Sequence, residues 1–192
     1  MQIDPQLVER AKAGDVDAFG QLYALTSRRI YQYLRQMTPT PEDAEDLMQE
    51  VYVRAWSRLG SLHAGEAFWV WLHRIARNAV LDTKKRKGMH TVSLESAFPD
   101  QEDDEAEPLE LVDWSDNPEQ TVLSEAVQEA VRHAVQSLPE HQREVVAMYY
   151  LEEMDIPAIM QVLGVPKNTV ISRLARAREA LRRKLSHLVD GK

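Results

Sequence analysis

A single acidic segment divides this chain and limits what it can fold into. Residues 91–120 hold 11 Asp and Glu residues, no Lys or Arg, and three prolines. Like charges at this density repel and proline interrupts helices, so the segment predicts an extended, flexible linker. Residues 1–90 carry 13 cations against 11 anions, and residues 121–192 carry 10 against 9. The net charge of −8 therefore comes from the linker, and it does not exclude nucleic acid as a partner of either flank.

Both flanks have a helical pattern. Apolar residues recur at helical spacing from Leu7 to Lys87 and from Thr121 to Leu188, with breaks at prolines and glycines. Neither flank shows an alternating strand pattern of useful length. We therefore predict an all-α fold with two small domains, an N-terminal helical bundle over residues 1–90 and a C-terminal helix-turn-helix domain over residues 121–192. The acidic flexible linker joins them.

The composition also excludes several classes of protein. The chain has no cysteine, and its six histidines do not cluster at ligand spacing, so no metal site and no cofactor are expected. It has no Gly-rich phosphate loop and no nucleophile elbow, so no catalytic residue is predicted and an enzyme is not expected. No apolar run approaches the length of a membrane span, and the N-terminus lacks the features of a signal peptide. We expect a cytoplasmic protein that does not insert into a membrane.

The first informative helix is predicted from Pro41 to Leu59. Thr40 can cap it, and Pro41 suits its first position. Its apolar face consists of Leu47, Met48, Val51, Tyr52, Ala55 and Trp56. The opposite side carries Asp43, Asp46, Glu50 and Arg54, with Gln49 nearby. This polar side is either a solvated charged face or a docking surface for a basic partner.

The second informative helix is predicted from Ala67 to Lys87. Its core face consists of Leu72, Ile75, Ala76, Ala79 and Val80. Another side combines an aromatic ring with cations and polar groups: Trp71, Arg74, Asn78, Leu81 and Lys85, flanked by Arg77 and Lys84. Aromatic rings among cations suit single-stranded nucleic acid, because rings stack on bases while charges follow the backbone. The alternative is that the rings pack in the core and the terminal cations complement the helix dipole.

The third feature is a predicted helix-turn-helix from Asp155 to Leu185. Asp155 can cap its first helix, Gly164 can end that helix, and Pro166 prevents its continuation. Small hydroxyls and arginines lie together on the outer side of the second helix: Thr169, Ser172, Arg173 and Arg176. Such side chains suit phosphate anchoring and base reading in the major groove. Helical hairpins are common, so this pattern alone is also compatible with a protein that does not bind DNA.

Three segments in this order resemble one known family. The segments DAEDLMQEVYVRAW (Asp43–Trp56), FWVWLHRIARNAVLD (Phe68–Asp82) and the stretch from Ser137 to Leu181 are similar to the extracytoplasmic-function class of bacterial sigma factors. The resemblance implies a factor that binds core RNA polymerase and directs promoter recognition, DNA opening and transcription initiation. It also implies three sets of site residues. Contacts to the clamp helices of the largest polymerase subunit are expected from Asp43, Asp46, Gln49 and Glu50. Reading and melting of the −10 element are expected from His63, Glu66, Trp71, Arg74, Arg77, Asn78, Lys84 and Lys85. Reading of the −35 element is expected from Lys167, Asn168, Thr169, Ser172, Arg173 and Arg176.

The resemblance further implies an anti-sigma partner and a linker that threads towards the RNA exit path. The sequence departs from the family pattern at five positions around the helix-turn-helix, namely Pro157, Lys167, Asn168, Ile171 and Ala175. Two alternatives remain at this point. A helix-turn-helix regulator of the response-regulator type would need an αβ receiver, which residues 1–90 do not contain, and a helical adaptor would leave the basic residues unexplained. Whether the acidic linker is inhibitory or a spacer is also open.

Overall fold

A computed structural model describes residues 3–63, 67–88 and 125–189 of the chain. These ranges are helical and contain no strand, which confirms the predicted all-α fold. The N-terminal region comprises α1 (Pro5–Lys12), α2 (Val16–Met37), α3 (Pro41–Arg58) and α4 (Phe68–Arg86), with a 3₁₀ turn, Leu59–Ser61, after α3. The C-terminal region comprises α5 (Glu125–Gln136), α6 (Glu140–Val146), a π-helical turn (Ala147–Leu151), α7 (Ile156–Leu163) and α8 (Lys167–Val189). The acidic segment 91–120 lies outside the described residues.

Local signals fix the helix ends that matter for the site. The Thr40 hydroxyl accepts the backbone N–H of Asp43 at 3.1 Å, and Pro41 occupies the first position of α3. The carboxylate of Asp155 accepts the N–H of Ala158 at 2.8 Å and starts α7. Gly164 ends α7 in the left-handed conformation, with φ of +69°. The predicted starts of α3 and α7 and the stop at Gly164 are therefore confirmed, while α8 runs further than the predicted Leu185.

Helix α2 is the centre of the molecule. Its side chains Leu22, Ile30, Tyr33 and Leu34 are fully buried. It packs against α1, α3 and α4 of its own region, and also against α5, α6 and the π-helical turn of the C-terminal region. The two regions therefore lie against each other through a helix that belongs to the first.

The buried apolar side chains continue from one region into the other. Val145, Met148, Ile159, Val170 and Leu174 of the C-terminal region belong to the same buried cluster as the core of α1–α4. In a second, smaller cluster, α5 and α6 pack against α8 through Val135, Leu138, Val146 and Ala177. In this arrangement the two regions share one core. Within the described ranges, no helix has the length and apolar character needed to cross a membrane.

Candidate nucleic-acid and polymerase interface

The polar face of α3 is partly engaged within the chain. Asp43 pairs with Lys87 at 2.7 Å, and this hydrogen bond lowers the pKa of the carboxyl group. Glu50 pairs with Arg54 at 2.5 Å and with Arg86 at 3.2 Å. The two remaining predicted polymerase-binding residues, Asp46 and Gln49, are exposed. A partner would thus meet Asp46 and Gln49 directly, and Asp43 and Glu50 as members of ion pairs with the end of α4.

Apolar side chains extend this face in a way that the sequence interpretation missed. Val53 is 69 % exposed and Trp56 is 40 % exposed. They follow Gln49 by four and seven residues, so helical spacing places them on its side of α3. Assignment of Trp56 to the core face was therefore wrong: its ring packs against Phe19 at 4.9 Å but remains at the edge of the core. The sequence did contain a signal for this exposure, because Val53 lies at helical spacing from Asp46 and Gln49.

The aromatic cluster at the start of α4 does not form an exposed stripe. Phe68, Trp69 and Trp71 are all buried, and Trp71 is only 7 % exposed with its ring 5.7 Å from that of Phe68. The physical reason is that α4 packs against α2 and α3 and also against α7 of the C-terminal region. In this arrangement Trp71 is not accessible to a base. Stacking on a base would require an exposed ring.

Three cations of α4, namely Arg74, Arg77 and Lys84, contact the C-terminal region. Arg74 donates to the backbone carbonyl of Gln161 in α7 at 3.0 Å. Arg77 pairs with Glu144 of α6 at 2.7 Å, and Lys84 pairs with Glu140 of α6 at 2.6 Å. The other predicted residues of this helix, Asn78 and Lys85, are exposed.

The loop before α4 is described only in part. His63 is exposed at its start, whereas Glu66, the other residue predicted to read the −10 element from this loop, lies outside the described residues. The structure therefore places one of the two side chains.

The helix-turn-helix presents a polar outer face. Lys167, Asn168 and Arg176 are exposed, while Val170, Leu174 and Ala177 are buried on the other side of α8. Thr169 and Ser172 are half-buried, and the Ser172 hydroxyl donates to the Thr169 carbonyl at 3.1 Å. Arg173 is partly buried, with its Nε shielded from solvent. The first turns of α8 thus bring the six predicted −35 residues to one end of the helix, with Arg173 less open than expected.

A buried acid and imidazole lie where the two regions meet, and no sequence signal pointed to them. Glu152 follows the π-helical turn and is fully buried, with its carboxylate 3.7 Å from Nε2 of His73 in α4. The next residue, Glu153, adopts a positive φ of 50°, which turns the chain back towards α7. Burial raises the pKa of Glu152 to about 8, and burial lowers the pKa of His73 to about 4. The pair is therefore neutral at pH 7, a carboxylic acid beside an imidazole whose Nδ1 faces the Trp69 carbonyl.

Comparison with known proteins identifies the family. Residues 22–89 match the model of Sigma-70 region 2, and residues 128–181 match that of Sigma-70 region 4. The ECF RNA polymerase sigma factor SigW of Bacillus subtilis is 31 % identical over 186 residues, which cover 94 % of this chain and 96 % of the relative. The chain belongs to the extracytoplasmic-function family of sigma factors. This sigma factor is therefore a promoter-recognising subunit of RNA polymerase, and the response-regulator alternative is not favoured.

Solved structures agree with this assignment. The structure of CnrH in complex with the cytosolic domain of CnrY matches this sigma factor with a TM-score of 0.65 and 25 % identity, covering 97 % of this chain and 96 % of CnrH. The sigma factor RpoE of Bartonella quintana, solved with the anti-sigma factor NepR, has a TM-score of 0.65. At 21 % identity over 88 % of this chain and 96 % of that chain, it shows a common fold.

Proposed function

We propose that the outer face of α3 binds the clamp helices of the largest polymerase subunit. The observation that carries this proposal is the exposure of Val53 and Trp56 beside Asp46 and Gln49 on one helix face. A valine and a tryptophan exposed to water cost little alone but gain free energy when a partner covers them. The flanking carboxylate adds charge complementarity to a basic partner and favours one orientation.

In this proposal the N-terminal region, residues 1–90, also reads and melts the −10 element. Arg74, Arg77, Lys84 and Lys85 lie along α4 and would follow the DNA backbone, because guanidinium and ammonium groups at this spacing suit phosphates. His63 and Glu66 in the loop before α4 would contact a base taken out of the duplex. Trp71 is buried and would reach DNA only after the helices packed on α4 move.

The C-terminal region, residues 121–192, reads the −35 element in this proposal. Lys167, Asn168, Thr169, Ser172, Arg173 and Arg176 cluster at the N-terminal end of α8, the end by which a recognition helix enters the major groove. Backbone N–H groups at this end favour phosphate as well. Residues 91–120 link the two regions.

We further infer that this sigma factor has an anti-sigma partner, works in the cytoplasm with polymerase and DNA, and has no catalytic residues of its own. The support for the partner is that RpoE of Bartonella quintana was solved in complex with the anti-sigma factor NepR, and that CnrH was solved in complex with the cytosolic domain of CnrY. The location follows from the function, since core polymerase and the chromosome are both in that compartment.

A variant of the exposed face of α3 tests the polymerase assignment. Asp46→Arg combined with Val53→Asp reverses one charge and places another in the proposed contact, while both side chains point away from the core. Affinity for core polymerase is expected to fall at least roughly 100-fold, because a desolvated unpaired carboxylate and a repelled arginine together cost several kcal/mol. A matched control, Glu9→Arg with Val16→Asp, makes the same changes of charge at exposed positions of α1 and α2. Equal binding by both variants, with unchanged melting temperatures, would place the polymerase surface elsewhere.

A further inference from the structure

Glu152 and His73 form a buried polar pair at the junction of the two regions. Glu152 belongs to the C-terminal region and His73 to α4, and both side chains are fully buried. Neither the carboxylate oxygens of Glu152 nor Nε2 of His73 have a hydrogen-bond partner among the residues that the structure describes. Because buried polar atoms are almost always paired in proteins, the packed junction depends on how this pair is protonated.

The geometry of the pair favours a protonated Glu152. Nδ1 of His73 lies 3.1 Å from the Trp69 carbonyl, so this nitrogen carries the proton of the neutral ring and Nε2 presents a lone pair. That lone pair lies 3.7 Å from the Glu152 carboxyl group. A carboxylic acid can direct its proton towards a lone pair, whereas a carboxylate would place a negative charge against it. The packed junction therefore accommodates the acid and not its anion.

The other charged groups around Glu152 do not replace the missing hydrogen bonds. Arg29 of α2 is a nearby cation, but it donates to the Glu152 backbone carbonyl at 3.1 Å and to the Glu153 carboxylate at 2.9 Å. Glu153 adds a second negative charge next to Glu152, and the Tyr52 hydroxyl of α3 is hydrogen-bonded elsewhere in the core. Helix α7 carries no titratable side chain. Burial therefore raises the pKa of Glu152 to about 8, while burial lowers the pKa of His73 to about 4.

We propose that the proton on Glu152 controls the packing of the two regions: the protonated acid lets them share one core, and loss of the proton favours their separation. Separation lets water reach the carboxylate and supply the hydrogen bonds that the packed junction lacks. The packed form thus holds a proton that the separated form releases. This switch resides in the junction itself and needs neither polymerase nor DNA.

Proton binding in the two forms gives the direction and the size of the effect. From pH 4.5 to 8 the packed form holds an extra proton on Glu152, and from pH 4 to 6.5 the separated form holds an extra proton on His73. Between pH 4.5 and 6.5 the two contributions cancel, and above this range only that of Glu152 remains. The ratio of separated to packed molecules should therefore rise about tenfold per pH unit from pH 6.5 to 8, or roughly 30-fold in all.

Two adjacent valines of α6 can report this separation. Val145 is fully buried in the core that the two regions share, whereas Val146 is buried in the smaller cluster formed by α5, α6 and α8. The chain has no cysteine, so Val145→Cys and Val146→Cys each introduce a single thiol at little change of volume. Separation of the regions exposes the first thiol, and exposure of the second requires the C-terminal region itself to unfold. Val170→Cys, at another fully buried position of the shared core, repeats the first measurement.

The measurement is the rate at which N-ethylmaleimide labels each thiol in the full-length chain at pH 6.5 and at pH 8. Each rate is divided by that of Ser57→Cys at the same pH, because Ser57 is exposed and its variant reports the intrinsic pH dependence of the thiol reaction. The corrected rate of Val145→Cys should rise about 30-fold between the two pH values. Added Glu152→Gln should abolish the rise, since glutamine cannot ionise. Added Glu153→Gln, the same change at the adjacent exposed residue, should retain it.

Comparison of the two thiols distinguishes separation from unfolding. At pH 8 Val145→Cys should react at least about tenfold faster than Val146→Cys, because separation of the regions requires less free energy than unfolding of the C-terminal region. Equal corrected rates for these two thiols at pH 8 would overturn the proposal, since unfolding would then account for the labelling. An unchanged rate of Val145→Cys, or a rise that persists with Glu152→Gln, would overturn it as well. Neither result bears on the proposed function, which initiation by core polymerase tests separately.

Discussion

Replacing Glu152 by glutamine should remove a pH dependence that the junction of the two regions imposes on stability. The groups that face Glu152 are His73 of α4, Arg29 of α2, the adjacent Glu153 and, more distantly, Tyr52 of α3. Burial raises the pKa of Glu152 from 4.5 to about 8, and the positive charge of Arg29 opposes this without reversing it. Glutamine has nearly the same shape as the protonated acid but cannot ionise.

The sign follows from proton binding in the folded and unfolded chains. Folded Glu152 keeps its proton up to about pH 8, whereas unfolded Glu152 loses it above its ordinary pKa of 4.5. This group therefore makes the free energy of unfolding fall as the pH rises between these values. His73 acts oppositely, because burial lowers its pKa from 6.5 to about 4 and the unfolded chain binds a proton in that range. Between pH 6.5 and 8 the contribution of Glu152 is unopposed by His73.

The size of the effect follows from this window. One proton corresponds to about 1.4 kcal/mol per pH unit, so about 2 kcal/mol is lost over roughly 1.5 units. Urea unfolding of the parent chain, Glu152→Gln and Glu153→Gln at pH 6.5 and pH 8 measures it. Glu153→Gln is the matched control, since it removes an adjacent exposed carboxylate. From pH 6.5 to pH 8 the free energy of unfolding of the parent and of Glu153→Gln should fall by about 2 kcal/mol more than that of Glu152→Gln. Equal losses in all three would refute the assignment of a buried proton to Glu152.

Two further predictions concern other parts of the chain. Gly164→Ala should lower the free energy of unfolding by about 1–2 kcal/mol, measured by urea unfolding, because alanine is strained at the φ of +69° that joins α7 to α8; no loss would show that the turn adopts another conformation. Amide substitution of the acidic cluster Glu102, Asp103, Asp104, Glu105 and Glu107 should raise the affinity of free chain for promoter DNA at low salt, since a polyanion competes for the same cations. The difference should disappear at high salt through screening, and equal affinity at low salt would leave the segment as a spacer.

The sequence was sufficient to predict features that depend on a few neighbouring residues. Thr40 and Pro41 mark the start of α3, and Asp155 and Gly164 mark the two ends of α7, because capping and left-handed turns depend on a few adjacent residues. The polar face of α3 was also predictable. The exposure of Trp56 was not, because this exposure depends on where the contact between α2 and α3 ends.

The sequence pattern did not predict the contacts between the two regions. Trp71 was interpreted as an exposed ring, yet α7 packs on the helix that carries it. In the sequence Glu144 is an ordinary polar helix residue. Only the structure shows that it contacts Arg77, which is 67 positions away. Helical periodicity shows which side of a helix is apolar, but it does not show which distant helix covers the other side.

Promoter-dependent initiation by core polymerase tests the central claim most directly. A template can be selected from random DNA with polymerase reconstituted with this chain, and run-off transcription on that template then measures initiation with core enzyme alone, with the parent chain and with the Asp46→Arg, Val53→Asp variant. A discrete run-off product that requires the parent chain and is lost with the variant is the predicted result. A product that is no greater with the parent chain than with core enzyme alone would contradict the assignment of this chain as a sigma factor.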